Sequence, residues 1–225
     1  MMPRTAWLCD FDGTIAPSDI GAALIERFAV GAEAERAELL ARWKRDEIGS
    51  RELTRAECRA VRVTRDQALD FVRGFALDPG FAGFARTARS HGDEVQVVSD
   101  GFDFYIREHL CRAGLDDVPS AANRARFVSG GLVPEFPYRG GCGRCGNCKG
   151  RHVRDARARG LRTVMVGDGL SDRCGAREAD AVVARGGLLE WCRREGRPAT
   201  AFGGFEALAE EAYGGGRRAS GGGSC

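Results

Sequence analysis

Ala6-Trp7-Leu8-Cys9-Asp10-Phe11-Asp12-Gly13-Thr14 reads as a short apolar strand that runs into two carboxylates and a glycine turn. In a strand, residues i and i+2 face the same way. A strand over Ala6–Phe11 therefore places Asp10 and Asp12 side by side at its carboxyl end, with Phe11 turned back into the core. Two like charges that close resist joint ionisation: a divalent cation relieves the repulsion, and one carboxyl is pushed towards a raised pKa. The pair then suits a nucleophile beside a general acid and base. Taken alone, the same letters also describe any strand followed by an Asp-Gly turn.

Working outward, Val95–Ser99, Arg162–Val166 and Ala181–Ala184 read as three more short strands. Helical stretches at Phe81–Ser90, Phe102–Ala113 and Arg151–Arg159 alternate with them, and Gly160 is placed to end the last. That alternation predicts an α/β fold with a doubly wound parallel sheet. Its ligand-binding loops gather at the carboxyl ends of the strands. Residues 18–78 show helical periodicity, with Ile20, Leu24 and Phe28 in one stripe and Leu69, Val72 and Phe75 in another, which predicts an inserted helical cap. The α/β core then comprises residues 1–17 and 79–213. From Asn123 to Cys148 the pattern changes to a β-hairpin excursion and a Gly/Cys loop, and residues 214–225 read as a flexible Gly/Ser-rich tail.

Three further positions fall at the same edge. The second strand ends in Ser99-Asp100-Gly101, where a hydroxyl and the backbone N–H groups of Asp100 and Gly101 can hold a phosphoryl group or, equally, cap the following helix. Lys149 opens a helix and is one of only two lysines among 34 basic side chains. An ammonium there would neutralise phosphate charge, although a lone lysine is ordinarily a solvated surface group. The third strand runs into Gly167-Asp168-Gly169-Leu170-Ser171-Asp172. Asp168 can complete an oxygen-rich set with the Asp10 carboxylate and the Asp12 backbone carbonyl, the kind of site magnesium prefers, and the small Gly167 and Gly169 allow close approach.

Bulk properties narrow the function. With 43 % apolar and 29 % charged residues the chain has the composition of a packed globular protein. A net charge of +2, with acidic residues interspersed among the arginines, argues against nucleic acid as a partner. No apolar run approaches a membrane span, and Met1–Trp7 carries no basic-then-apolar leader, so a cytoplasmic protein acting on a small molecule is expected. The sequence is silent on oligomeric state.

The order D-x-D-G-T, Ser, Lys, G-D-G-x-x-D resembles the four-motif signature of the haloacid dehalogenase superfamily over Trp7 to about Ala212. The resemblance implies a Rossmann-like core and a magnesium-dependent phosphatase that works through an aspartyl phosphate. It casts Asp10 as nucleophile and Asp12 as acid and base. Ser99 and Lys149 become phosphate ligands, Asp168 a metal ligand, and Asp172 a carboxylate at or behind the metal. The insertion is similar to that superfamily's C1-type cap. Val97–Ile106, the cysteine run before Lys149, and Ala179–Gly196 look most like the methionine-salvage enol phosphatases and the phosphoethanolamine/phosphocholine phosphatases. A phosphotransferase using the same aspartyl phosphate is the rival enzyme. A non-enzymatic zinc-binding interaction module would leave the aligned acidic motifs unexplained.

Nine cysteines are dispersed apart from Cys142-Gly143-Arg144-Cys145-Gly146-Asn147-Cys148, with His152 four residues on. Three thiolates and the His152 imidazole would make a tetrahedral structural zinc site holding the loop that delivers Lys149. Unmetallated thiols and oxidised thiols are the alternatives.

Overall fold

The computed structural model describes residues 3–31 and 33–214; Met1, Met2 and the expected flexible tail from residue 215 onward lie outside them. The chain runs β1 (Thr5–Cys9), α1 (Ile20–Phe28), α2 (Glu33–Lys44), α3 (Ser50–Ala60), α4 (Arg65–Val72), α5 (Phe81–Ser90), β2 (Glu94–Phe102) and α6 (Asp103–Arg112). It continues through β3 (Ser120–Val128), β4 (Gly131–Glu135), α7 (Lys149–Ala158), β5 (Arg162–Gly167), α8 (Arg173–Glu178), β6 (Ala181–Ala184), α9 (Gly186–Arg194), β7 (Thr200–Ala201) and α10 (Phe205–Tyr213). The sheet order is β4-β3-β2-β1-β5-β6-β7, parallel throughout except for the antiparallel β3–β4 pair.

β1 is buried along its whole length because helices cover both faces of the sheet. Trp7 and Cys9 point into a core with Phe84, Val97 and Phe205, while Leu8 points the other way, towards Val98, Val153 and Met165. Two of the strands thus alternate sides within continuous apolar runs. The four expected strands are present, but the sheet has seven. β3 joins β2 in parallel through Val97↔Ser120 and Val98↔Ala121 before its second half folds back on β4, so the expected hairpin is the sheet's own edge.

β1 is also shorter than expected. Its ladder with β5 ends at Cys9↔Val166, and Asp10 N–H closes it on the Val166 carbonyl at 2.9 Å. Beyond that the chain turns: the Phe11 carbonyl accepts from Thr14 N–H at 3.2 Å and from Ala16 N–H at 2.9 Å. Phe11 is fully buried, as expected, but Asp10 and Asp12 reach the edge through a turn rather than a continued pleat. β2 has an irregular register between Val98 and Phe102, so Ser99, Asp100 and Gly101 sit in a distorted strand end.

Among the described residues, helices α1–α4 stand between β1 and α5 with no strand longer than an isolated bridge, as the periodicity predicts. Ile20 and Leu24 of α1 are fully buried and Asp19 caps its first turn, accepting from Ala22 N–H at 2.8 Å. Thr64 and Gln67 form a capping box on α4. The insertion leans on the hairpin, where Val63 N–H meets the Gly130 carbonyl at 2.7 Å.

One aromatic cluster ties the chain's end to the sheet: Phe205 of α10 packs against Phe81, Phe84 and Phe202 at centroid distances of 4.8, 5.3 and 4.9 Å. Phe205 is fully buried, so Phe205→Ala leaves a cavity and should cost about 3–5 kcal/mol. A urea unfolding curve checks this, with the midpoint falling and the slope unchanged.

Candidate active site

At the carboxyl ends of β1, β2 and β5 a cavity of about 200 Å³ opens between the sheet edge and the inserted helices. Asp10, Asp12, Ser99, Asp100, Gly101 and Asp168 line its floor, and Asp19, Ile25, Leu40, Trp43, Leu53 and Glu57 line its roof.

Lys149 organises the floor. It is the first residue of α7, has no solvent exposure, and places Nζ 2.7 Å from Asp10 Oδ1 and 2.5 Å from Asp172 Oδ1. Its third neighbour is Ser171 Oγ, at 3.3 Å. Burial alone would depress the ammonium, but the carboxylates of Asp10 and Asp172 override it and hold the lysine charged. Asp10 is pushed upward by burial and by Asp172, and Lys149 opposes the push. The ion pair and the hydrogen bond from Phe11 N–H, 2.8 Å long, both fall on Oδ1 of Asp10.

Asp12 is held apart from that group. Its Oδ1 accepts from Ile20 N–H at 2.8 Å and Gly21 N–H at 3.4 Å, and its Oδ2 accepts from Tyr105 OH at 2.5 Å. Its pKa is raised to about 7, but the cause differs from the expected repulsion by Asp10: burial comes first and the Asp19 charge second. Gly101 makes room for the arrangement, since a methyl group there would collide with Tyr105 Oη and Asp12 Oδ2.

Oxygens of Asp10, Asp168 and Asp172 lie within 4.8 Å of one another, a donor set that suits a hard divalent cation. Asp172 is the least available of the three. Its Oδ1 faces Lys149, and its Oδ2 accepts from Asp168 N–H and Gly169 N–H, each at 2.9 Å. Its carboxylate therefore shapes the loop, packed where a side chain at Gly167 would stand. A side chain at Gly169, by contrast, would stand in open space, and the residue's contribution is the N–H given to Asp172. Asp168 is raised to about 6, by burial first and then by Asp172, and its Oδ1 accepts from Thr14 Oγ1 at 3.3 Å. The donor set leaves Asp10 and Asp168 as the side chains able to hold the cation. The Asp12 carboxylate is not among the clustered groups.

Ser99 is 1 % exposed and lies at the floor, but its Oγ accepts from Gly101 N–H at 2.9 Å. That N–H is thus occupied rather than open to an anion. Asp100 turns its carboxylate away from any anion, accepting from Asn147 N–H at 2.5 Å, so only its backbone could serve a phosphate. Asn147 in turn donates to the carbonyls of Ser99 at 2.9 Å and Ala121 at 2.7 Å, locking the lysine loop onto β2 and β3.

The expected zinc set needs one correction. Sulfurs of Cys142, Cys145 and Cys148 are gathered within 4.8 Å, but His152 is not with them. Its Nε2 is committed to Asn147 Oδ1 at 2.7 Å in a buried contact, and burial lowers its pKa to about 4. Tyr105, Asn147 and Arg185, whose Nε donates to the Gly13 carbonyl at 2.8 Å, are site residues that no spacing rule picks out. Tyr105 carried one weak signal, its place in the first turn of the helix after the Ser99 strand.

The haloacid dehalogenase-like hydrolase family model matches residues 7–177. A 2-hydroxy-3-keto-5-methylthiopentenyl-1-phosphate phosphatase from Brevibacillus brevis is 29 % identical over 91 % of this chain and 93 % of its own length. Its namesake from Exiguobacterium sibiricum is 31 % identical over 87 % of this chain and 90 % of its own. Among solved structures, a phosphoserine phosphatase captured as a phospho-aspartyl intermediate analogue superposes with a TM-score of 0.72 at 21 % identity, covering 94 % of this chain and 99 % of that one, which speaks to the fold. The motifs, the seven-stranded sheet and these matches agree that the chain belongs to the haloacid dehalogenase-like hydrolase family.

Proposed function

We propose that the chain hydrolyses a small phosphate monoester through a phosphorylated Asp10, with magnesium as its cation. The single observation that carries this reading is the pinning of one Asp10 oxygen by Phe11 N–H and the buried Lys149, which leaves Oδ2 as the nucleophilic oxygen. Oδ2 attacks phosphorus, the ester oxygen leaves, and Asp12 supplies the proton that oxygen needs. In the second step Asp12 takes a proton from water, which attacks the acyl phosphate and regenerates Asp10. A carboxyl raised to about 7 can do both. Lys149 opposes the negative charge gathered at the transferred group, and Ser99 Oγ and the Asp100 N–H border it. Magnesium, held by Asp10 and Asp168 with the Asp12 carbonyl, would supply further positive charge beside the phosphoryl oxygens.

Residues 18–78 serve as the lid. Ile25, Leu40, Trp43 and Leu53 form an apolar wall opposite the carboxylates, which suits the uncharged thioether chain named in the relatives' substrate, 2-hydroxy-3-keto-5-methylthiopentenyl 1-phosphate. A second reading rests on Asp19 and Glu57 in the same roof: two acidic groups beside Trp43 would suit an aminoalkyl phosphate such as phosphoethanolamine or phosphocholine. Burial raises Glu57 to about 7, so it offers only part of a charge near neutrality, which favours the thioether ester. Among the described residues no helix is long and apolar enough to cross a membrane, and we place the activity in the cytoplasm, where the cysteines, none of the eight described ones being in a disulfide, would stay reduced.

Phosphate release from a panel containing the enol phosphate, phosphoethanolamine, phosphocholine and phosphoserine tests the assignment. Release should need magnesium, stop with excess EDTA, resume on magnesium addition and favour the enol phosphate; preference for the amino esters would select the second reading. Asp10→Asn should abolish turnover in a folded protein, and Asp12→Asn should lower kcat by about 10²–10⁴-fold. Turnover surviving Asp10→Asn would remove the covalent mechanism.

Tyr105 acts as a positioning residue through Asp12. Loss of a hydrogen bond to a charged group is worth about 1.5–3 kcal/mol, so Tyr105→Phe should lower kcat by about 10–100-fold and leave KM near its original value. A KM that rises with kcat unchanged would instead place Tyr105 against the substrate.

A further inference from the structure

The cysteine loop between β4 and α7 gathers more sulfur than its own three residues. Cys145 Sγ lies 3.7 Å from Cys142 Sγ and 3.9 Å from the Sγ of Cys174, which stands on α8, 29 positions further along the chain. Cys148 is close to both Cys145 and Cys142. These separations are too long for disulfides, whose sulfurs bond at about 2.05 Å. The two short separations match two edges of another geometry, while the Cys174 sulfur does not lie within 4.8 Å of all three others and would have to be drawn in by a bound ion. Four thiolates at about 2.3 Å from zinc stand about 3.8 Å apart along each edge of their tetrahedron.

The geometry points to a structural zinc site made by Cys142, Cys145, Cys148 and Cys174, with Cys174 in the place that spacing alone would give to His152. Neutral thiols gain little from clustering, and the hydrogen bonds of Arg144, Gly146 and Asn147 hold the loop without accounting for its gathered sulfurs. It is glycine-rich, with Cys142 exposed and Cys145 half-buried, and neither belongs to an apolar core. A bound ion would supply the crosslink that apolar burial does not. Binding displaces a proton from each thiol, leaving four thiolates on one divalent ion, and no oxidant or reductant is involved.

The site has a structural purpose in its position. Cys148 immediately precedes Lys149, and Cys174 follows Asp172 by two residues, so the ion would join the two segments whose side chains meet in the buried Lys149–Asp172 pair. Arg144, between the first two cysteines, donates to the carbonyls of Asp46 at 2.7 Å and Ile48 at 3.2 Å. Gly146 N–H donates to Ser50 Oγ at 3.1 Å. The same knot therefore also fastens the start of α3 in the lid.

The test uses the full chain without a histidine tag, produced with added zinc and dialysed against excess magnesium so that the carboxylate cluster is not counted. Elemental analysis should find one zinc per chain. Cobalt substitution should give the absorption of a tetrahedral thiolate site. Cysteine alkylation mapped by mass spectrometry should show Cys142, Cys145, Cys148 and Cys174 protected together by zinc and exposed together by a chelator, while solvent-exposed Cys111 labels throughout. Cys174→Ser should lose the metal and His152→Gln should keep it. The alkylation pattern of the wild type decides the matter even if Cys174→Ser fails to fold. Zinc well below one per chain would overturn the site, and so would full zinc with Cys174 freely alkylated or with the metal lost in His152→Gln.

Discussion

An ammonium removed from water stays charged only where opposite charge surrounds it, and Lys149, with no solvent exposure, meets that condition through its ion pairs with Asp10 and Asp172, helped by the nearby Asp100. The condition constrains the architecture on three sides. Asp10 must sit where β1 stops, Asp172 where the loop after β5 turns into α8, and Lys149 at the first turn of α7. Three chain segments distant in sequence are thus obliged to meet at one point. Removing any partner leaves an uncompensated buried charge, so the interaction acts as a specification for the loops more than as a source of stability.

The supporting contacts make sense in that light. Asn147 pins the segment before Lys149 to Ser99, Ala121 and Asp100, and Asp172 folds its own loop by accepting two backbone N–H groups. Tyr105 and the first turn of α1 take both oxygens of Asp12. Asp12 consequently answers to the inserted helices while Asp10 answers to the core. Anchored through Ile20 and Gly21 to Asp12, the inserted helices would link any movement of the roof to the proposed acid–base carboxyl.

The sheet, the helical insertion and the acidic edge were legible because each has a local signature. Apolar runs such as Val95–Ser99, the spacing of Ile20 and Leu24, and carboxylates just after strands all follow from periodicities that a sequence displays. β7 was not legible because two residues, Thr200 and Ala201, carry no period. The first half of β3 was hidden because Ser120–Asn123 lacks the branched and aromatic residues that announce a strand. At the site, Asp10, Ser99, Lys149 and Asp168 were found at their expected edge, but which oxygen faces which donor depends on loop geometry. His152 shows the limit best: sequence proximity to three cysteines favoured it, yet α7 carries its imidazole to Asn147 while Cys174 arrives from another helix.

The charges at the floor explain why a cation of two charges suits this site. With Asp12 poised near 7 and able to carry its own proton, the clustered carboxyls of Asp10, Asp168 and Asp172 share a single ammonium. Burial and the Asp172 charge push Asp10 and Asp168 upward, a tension that protonation would relieve at the expense of the proposed nucleophile. Two added positive charges would relieve it and keep Asp10 ionised. A second buried lysine could not do the same, because the cation must also leave room for phosphoryl oxygens at its side. A small, hard ion that keeps exchangeable positions meets both needs, and the fold has only to hold Asp10 and Asp168 close enough to share it.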